Sequence, residues 1–465
     1  MVRFGYLLLF FFGINNTLLA QNDSSDYVII DGTIFQGNEK TKILVLEREL
    51  TYKNGDTIFL NELKPKLVRS RENLFNTSLF NKVEYSFRKI DSSHVQVEFF
   101  LEERWYVWPF PILENGDRNF NTWWETKDFQ RLTYGIFLNW FNFRGRNETF
   151  QIMTKVGFEN QFSIGYNIPN LNKKKTLELY MATGYAGYRE VNYISENNKR
   201  VFYKSEEGPG RQVLFGRVNL TYRKSLNSRH RFGLSYHRIE VDSIITDLTG
   251  DYLNGNDQKS EYFTLSYYGK YDTRDYIEYP LKGYKVEAYV NKYGLGVLDN
   301  SGLNVLTCSG GVFWHVPLGG RWYFANSVVG KISLFEDTPY SIQQGLGYKD
   351  YVRGYELYVM DAESYGVMKT NLKFNLLKRK DMHLKWLPFE KFNKPYFALY
   401  LNAYFDLGYA NDQLYQDLNS LSNKWLFGSG IGLDVTAFYD FVMRLEYSMN
   451  RENERGFFLH FKKSI

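Results

Sequence analysis

From about Asn119 onward the chain is a succession of runs in which apolar and polar side chains alternate. In 149–158, Phe150, Ile152, Val156 and Phe158 share one face, and Gln151, Met153 and Lys155 share the other. In 216–223, Val218, Leu220 and Tyr222 oppose Arg217, Asn219 and Arg223; in 284–290, Val286, Ala288 and Val290 oppose Lys285 and Glu287; in 441–448, Met443, Leu445 and Tyr447 oppose Arg444 and Glu446. A period of two predicts strands. The polar face carries too many charges for the core of a sandwich. It suits a hydrated lumen, with the apolar face toward lipid. Such runs fall at 119–125, 131–141, 148–158, 161–168, 176–188, 212–224, 230–240, 261–272, 283–292, 303–316, 321–333, 364–377, 396–408, 425–437, 441–449 and 456–464, sixteen in all. An even number is what a single-chain bacterial barrel requires. Short links at 144–145, 169–174, 225–228, 280–282, 317–320 and 439–440 alternate with long ones near 189–211, 241–260, 334–363 and 409–424. This predicts short turns on the periplasmic side and long loops outside.

The segment before residue 104 has a different rhythm. Val28-Ile29-Ile30 leading to Phe35 predicts a strand, and Ile43, Leu44, Leu46 and Leu50 fall at helical spacing. A second helix is predicted after Asp56 and Thr57, with Leu60, Leu63, Leu67, Leu74 and Leu79 on its apolar side. Two alternating runs, 83–87 and 95–101, flank Asp91-Ser92-Ser93, a hairpin signal. Strand, helix, helix, strand, strand over 21–103 predicts one small α+β domain. Ahead of it, Arg3, the apolar run 7–12 and Thr17-Leu18-Leu19-Ala20 predict a secretory signal over 1–20. That run is shorter than the ~20 residues a spanning helix needs. Residues 104–118, rich in Trp105, Tyr106, Trp108 and Phe110, read as a linker, which leaves 119–465 for the barrel.

Composition supports the barrel. Aromatic residues make up 18% of the chain, with 38 Tyr, 38 Phe and 9 Trp, as girdles at two membrane interfaces would use. The mean hydropathy of -0.43 is compatible with strands that alternate. After the signal no apolar run is long enough for a spanning helix, which excludes a helical membrane protein. The net charge of +5 is small and its Lys and Arg residues lie among acids, so nothing points to nucleic acid. Cys308 is the only cysteine, so neither a lipid-anchored N-terminal cysteine nor a disulfide is expected in the mature chain.

Candidate chemistry is sparse. There is no G-x-S-x-G elbow, and Gly428-Ser429-Gly430 has the wrong spacing; its glycines are expected to allow close packing. His94, His230, His237, His315, His383 and His460 stand far apart without metal-ligand spacing. The acidic pairs Glu102-Glu103 and Asp361-Glu363 read as solvated charge. The expectation is no enzyme, no cofactor and no metal.

Several strings together carry a resemblance. Gly37-Asn38, Arg48-Glu49-Leu50, Gly55-Asp56, Asn73-Leu74-Phe75-Asn76 and Leu79-Phe80-Asn81-Lys82-Val83 look like a POTRA module. Asp272-Thr273-Arg274-Asp275, with Pro280 and Gly283, is similar to a turn between the eighth and ninth strands. Val352-Arg353-Gly354-Tyr355 matches a conserved loop tip, and Phe405-Asp406-Leu407-Gly408 an aspartate-glycine motif on the thirteenth strand. In this order they resemble the superfamily of BamA-type outer-membrane assembly factors and two-partner secretion transporters. The resemblance implies an all-β transmembrane barrel of sixteen antiparallel strands behind one α+β POTRA domain, in the bacterial outer membrane with the POTRA domain in the periplasm. It implies a loop that folds into the lumen: Arg353 pairs with Asp406, Gly354 permits the tight turn, Tyr355 packs on the inner wall, and Val352 and Gly408 flank the pair. The implied partners are lipid, unfolded or exported polypeptide clients, and periplasmic or lipoprotein accessory subunits. The expected role is insertion or assembly of other outer-membrane proteins through a lateral seam between Asn119, Phe120 and Trp123 and Phe457, Leu459 and Phe461. The alternative is a secretion pore for a partner polypeptide. The chain has room for one POTRA module, and it ends on Lys462-Lys463-Ser464-Ile465 where the family's closing strand carries a terminal aromatic.

Overall fold

The computed structural model describes residues 27–115, 124, 127, 129–169, 171, 172, 174, 176–255, 257–298, 302–335, 338–381, 396–437 and 441–462. The expected export segment 1–20 and the seam residues Asn119, Phe120 and Trp123 lie outside them. The chain forms two compact units that divide between Arg104 and Trp105.

The first unit runs β1 (Tyr27–Gln36), α1 (Ile43–Glu47), β2 (Thr57–Phe59), α2 (Leu60–Asn76), β3 (Phe80–Lys89) and β4 (His94–Glu103). Its sheet has the order β2-β1-β4-β3, with β1 and β4 parallel at the centre. Val95, Val97, Phe99 and Leu101 are buried on one face of β4, and α2 lays Leu63, Leu67 and Leu74 on that sheet. The turn from β3 to β4 is made by Asp91, whose side chain accepts from the backbone N–H groups of Ser93 and His94 at 2.8 and 2.7 Å. These bonds hold its carboxyl down at about 2. One element differs from the sequence expectation. The second helix, expected directly after Thr57, starts at Leu60, because Thr57–Phe59 is a short strand paired with β1.

The second unit is a sixteen-stranded antiparallel sheet. Its strands are β5 (Val107–Asn115), β6 (Leu132–Phe143), β7 (Glu148–Gly157), β8 (Glu159–Ile168), β9 (Leu177–Tyr188), β12 (Arg211–Tyr222), β13 (Ser228–Val241), β14 (Lys259–Asp272), β15 (Gly283–Tyr293), β16 (Val305–Gly319), β17 (Trp322–Phe335), β18 (Ser364–Asp381), β19 (Tyr396–Asn411), β20 (Trp425–Ala437), β21 (Phe441–Asn450) and β22 (Arg455–Lys462). Each pairs with its neighbour in the chain, except that β9 pairs with β12 across an inserted hairpin of β10 (Glu190–Glu196) and β11 (Lys199–Lys204). A helix, α3 (Ser243–Thr249), follows β13. Among the described residues β5 and β22, the two ends of the order, share no ladder.

The two faces follow the alternation. On β12 Leu214, Val218, Leu220 and Tyr222 are exposed on the outer face, and Thr221 is buried within. On β21 Leu445, Tyr447 and Met449 point out, and Glu446, Ser448 and Asn450 are buried. The first strand is a correction. The stretch 104–118, read as a linker, contains β5, which pairs with β6 from Val107↔Trp140 to Asn115↔Leu132. Pro109 and Pro111 hid it, because proline within an alternating run reads as an interruption. Both are tolerated here because β5 lies at the edge of the order.

Candidate functional site: a loop tip seated on the inner wall

The loop between β17 and β18 does not stay in solvent. Leu346, Val352, Tyr355, Met360 and Ala362 are buried with Val367 of β18, Ala410 of β19, Leu426 of β20 and Leu421. Burial of this apolar set anchors a segment that its length alone would leave loose. Two glycines make the seat possible. A Cβ on Gly428 of β20 would stand 1.7 Å from the Arg353 carbonyl oxygen, and one on Gly408 of β19 would stand 2.4 Å from Val352 Cγ2. At the tip Gly354 has φ +93°, a conformation that favours glycine.

The structure brings Arg353 and Asp406 together. Arg353 is 2% exposed and Asp406 0%. Nε and Nη2 of Arg353 donate to the two carboxylate oxygens at 2.9 and 2.5 Å, and the Arg353 backbone N–H adds a third bond at 3.1 Å. Its Nη1 donates to Asn371 Oδ1 at 2.7 Å and Glu446 Oε1 at 3.2 Å. The guanidinium lies 3.7 Å from the ring centroid of Tyr404. A planar fork matched to a carboxylate is what lysine cannot supply. Tyr355 is fully buried and its hydroxyl donates to Glu452. Asn450 Nδ2 donates to the Gly354 carbonyl at 3.0 Å, and Tyr358 donates to Glu454 at 2.7 Å, so the tip also grips the β21–β22 turn.

Asn371, Tyr404 and Glu446 are absent from the expected site. Parity could have found them. Tyr404 shares the inward register of Asp406 on β19, and Glu446 is on the polar face of its run. Asp361, read as solvated, is instead fully buried: it accepts from Ser195 of the β10–β11 hairpin and from Tyr348 at 2.7 Å. Burial pushes its carboxyl above the usual range. The hairpin clamps the loop further, since Val359 N–H donates to the Asn198 carbonyl at 2.8 Å.

A second segment enters from the β14–β15 turn. Tyr279 is buried with Ala398, Tyr400 and Val442. Its hydroxyl donates to Asp434 of β20 at 2.7 Å, and Arg444 Nε donates to the same carboxylate at 2.8 Å. Arg444 also lies 3.8 Å from Glu446 Oε1, the oxygen that accepts from Arg353. One chain of charges therefore joins the turn to the loop tip. Of the seam residues on β22, Phe457 and Phe461 are exposed on the outer face that Leu459 shares by alternation, while Phe458 is buried on the inner face.

A sixteen-stranded antiparallel barrel behind a small α+β unit, with an arginine-tipped loop docked on the inner wall, defines a recognisable architecture. Solved structures of similar fold include BamA from Haemophilus ducreyi lacking POTRA domains 1–3, at a TM-score of 0.60 and 13% identity over 94% of this chain and 84% of that one. CdiB from Escherichia coli matches at 0.59 and 13% identity, over 93% of this chain and 75% of that one. CdiB from Acinetobacter baumannii matches at 0.53 and 12%, over 94% and 73%. No protein-family model matches the sequence, and no curated protein matches it. The fold is that of the BamA and CdiB barrels.

Proposed function

We propose that this protein is an outer-membrane barrel that helps insert or assemble other outer-membrane proteins, with its N-terminal unit as a periplasmic POTRA domain. The observation that carries this reading is the edge of β5, which shares no ladder with β22 among the described residues. Phe141 N–H donates to the Tyr106 carbonyl, which fixes the ladder phase. The even-numbered residues of β5 thus bond to β6, and the odd-numbered ones face the seam. Pro109 and Pro111 are both odd, so the seam edge has lost two N–H donors. At the other end of the sheet order, β22 is eight residues long. An edge that cannot be fully zipped opens at smaller cost, since each backbone bond broken in lipid costs several kcal/mol. An opened edge is a template for an incoming strand. In the first unit, β3 is an outer strand of its sheet and offers a second edge to polypeptide clients. Accessory subunits and lipid would complete the working assembly.

The second reading is a secretion pore that passes a partner polypeptide through the lumen. It is favoured by a likeness to CdiB as strong as that to BamA, 0.59 against 0.60. One experiment separates the two. Paired cysteines across β5 and β22, in a Cys308→Ser background, should block assembly of client barrels and release the block on reduction. A locked barrel that assembles clients at the normal rate removes the insertase reading, and the pore reading then takes its place.

A further inference from the structure

The histidines stand apart in sequence, but the fold brings His460 of β22 to Glu446 of β21 and to Glu356, just beyond the loop tip. One ligand atom from each lies within 4.8 Å of the others. Glu446 and Glu356 are 0% and 1% exposed. Each carboxylate uses one oxygen for the protein and turns the other to the imidazole. Glu356 Oε2 accepts from the Gly354 N–H at 2.8 Å, and Glu446 Oε1 accepts from Arg353 at 3.2 Å. Glu446 Oε2, which faces His460 Nε2, is fully buried and accepts no hydrogen bond among the described residues.

We propose that Glu356, Glu446 and His460 bind a divalent first-row metal ion, of which zinc is the best probe. The distances favour this over a protonated histidine shared by two acids. His460 Nε2 is 3.4 Å from Glu446 Oε2 and 3.6 Å from Glu356 Oε1. A charge-assisted N–H···O bond would be about 2.7–2.9 Å. Ligands at about 2.0–2.2 Å from a tetrahedral zinc ion stand roughly 3.3–3.6 Å apart, which is the spacing of both carboxylate oxygens from the imidazole nitrogen, and the two oxygens lie within 4.8 Å of each other. A buried carboxylate oxygen with no donor is costly, and a cation removes that cost. One nitrogen and two carboxylate oxygens suit zinc or manganese better than calcium or magnesium, which prefer all-oxygen shells. The outer supports that a metal site needs are present: Arg353 and the Gly354 N–H orient the carboxylates, and Tyr351 stacks on the imidazole at 5.8 Å. His460 is 20% exposed, which leaves a path for the ion. The ligands come from the loop, the penultimate strand and the final strand, so the ion would staple the loop to one side of the seam. The binding itself stands whether the barrel inserts clients or secretes them.

The test uses the full chain in detergent, stripped with a chelator and titrated with zinc against a chromophoric competitor. Wild type is expected to take up one ion per chain. His460→Gln and, independently, Glu356→Gln should weaken binding roughly a hundredfold, at the upper end of what loss of supporting contacts does elsewhere. Heat-modifiable gel mobility reports whether each variant keeps its barrel. Zinc should also slow hydrogen exchange across 455–462 in wild type only. A wild type that takes up no zinc, or folded variants that bind it as tightly as wild type, would overturn the site; the first result would assign the cluster to a shared proton instead.

Discussion

Every nitrogen of Arg353, its backbone included, donates to the protein: three bonds to Asp406, one each to Asn371 and Glu446. A buried ion pair so fully bonded contributes more to register than to net stability, but breaking one side of it leaves a charge stranded, at about 3–5 kcal/mol. Arg353→Ala and Asp406→Ala should each leave a barrel that inserts, loosens and unfolds at lower denaturant. The double variant should be little worse than either single, and strictly additive losses in that cycle would show that the two do not act together. Gly428→Ala should release the tip in the same way without touching either charge, because its methyl group meets backbone and not a movable side chain. Protease cleavage within 346–360 reads that release; an uncleaved Gly428→Ala loop would mean that the seat is softer than its geometry.

At the scale of elements, alternation carries furthest where one face is charged and the other apolar, as on β21 with Arg444 and Glu446 opposite Leu445 and Tyr447. It fails at β5, where two prolines break the pattern, and over β10–β11, whose Asn197-Asn198 turn, with both residues at positive φ, sits inside a stretch read as one long loop. The Arg353–Asp406 pairing was legible only through resemblance, and the environment around it was not. Parity puts Asn371 and Tyr404 on the inner face, but that they, Ser195 and His460 meet the loop depends on contacts remote in sequence, which no local period records. The N-terminal unit is legible for the opposite reason: its helix and hairpin faces are local. Residues 27–104 should fold alone and unfold cooperatively, with marginal stability at ~80 residues. Leu67→Ala, at a fully buried position of α2, should cost about 2–5 kcal/mol and unfold much of the fragment. A fragment with no cooperative transition in urea would move the boundary away from Arg104.

Across the barrel unit, a chain of contacts links the two inward segments. The β14–β15 turn reaches Asp434 through Tyr279, and the loop tip reaches Glu446 through Arg353. Both acids share Arg444, which bonds Asp434 at 2.8 Å and stands 3.8 Å from Glu446. Both segments rest on the wall of β18 to β22, the side that ends at the seam. Spatial continuity alone does not establish coupling; an equilibrium that both ends bias would. The charge count supplies one. Without Arg444, Asp434 keeps the Tyr279 hydroxyl and the charge of nearby Lys373, and Glu446 leans harder on Arg353 and Lys369, so the cations that hold the loop tip carry a larger load. Arg444→Met keeps the bulk of the side chain and removes the charge. It should therefore raise hydrogen exchange at the loop tip, 352–356, as well as at the turn, 274–282. A coupling of ordinary size corresponds to about 5–150-fold at the distant site. Tyr279→Phe, which removes one neutral donor and no charge, should loosen the turn and leave the tip nearly as it was. Fast exchange at the turn with an unchanged tip in Arg444→Met would show that the two segments are held independently.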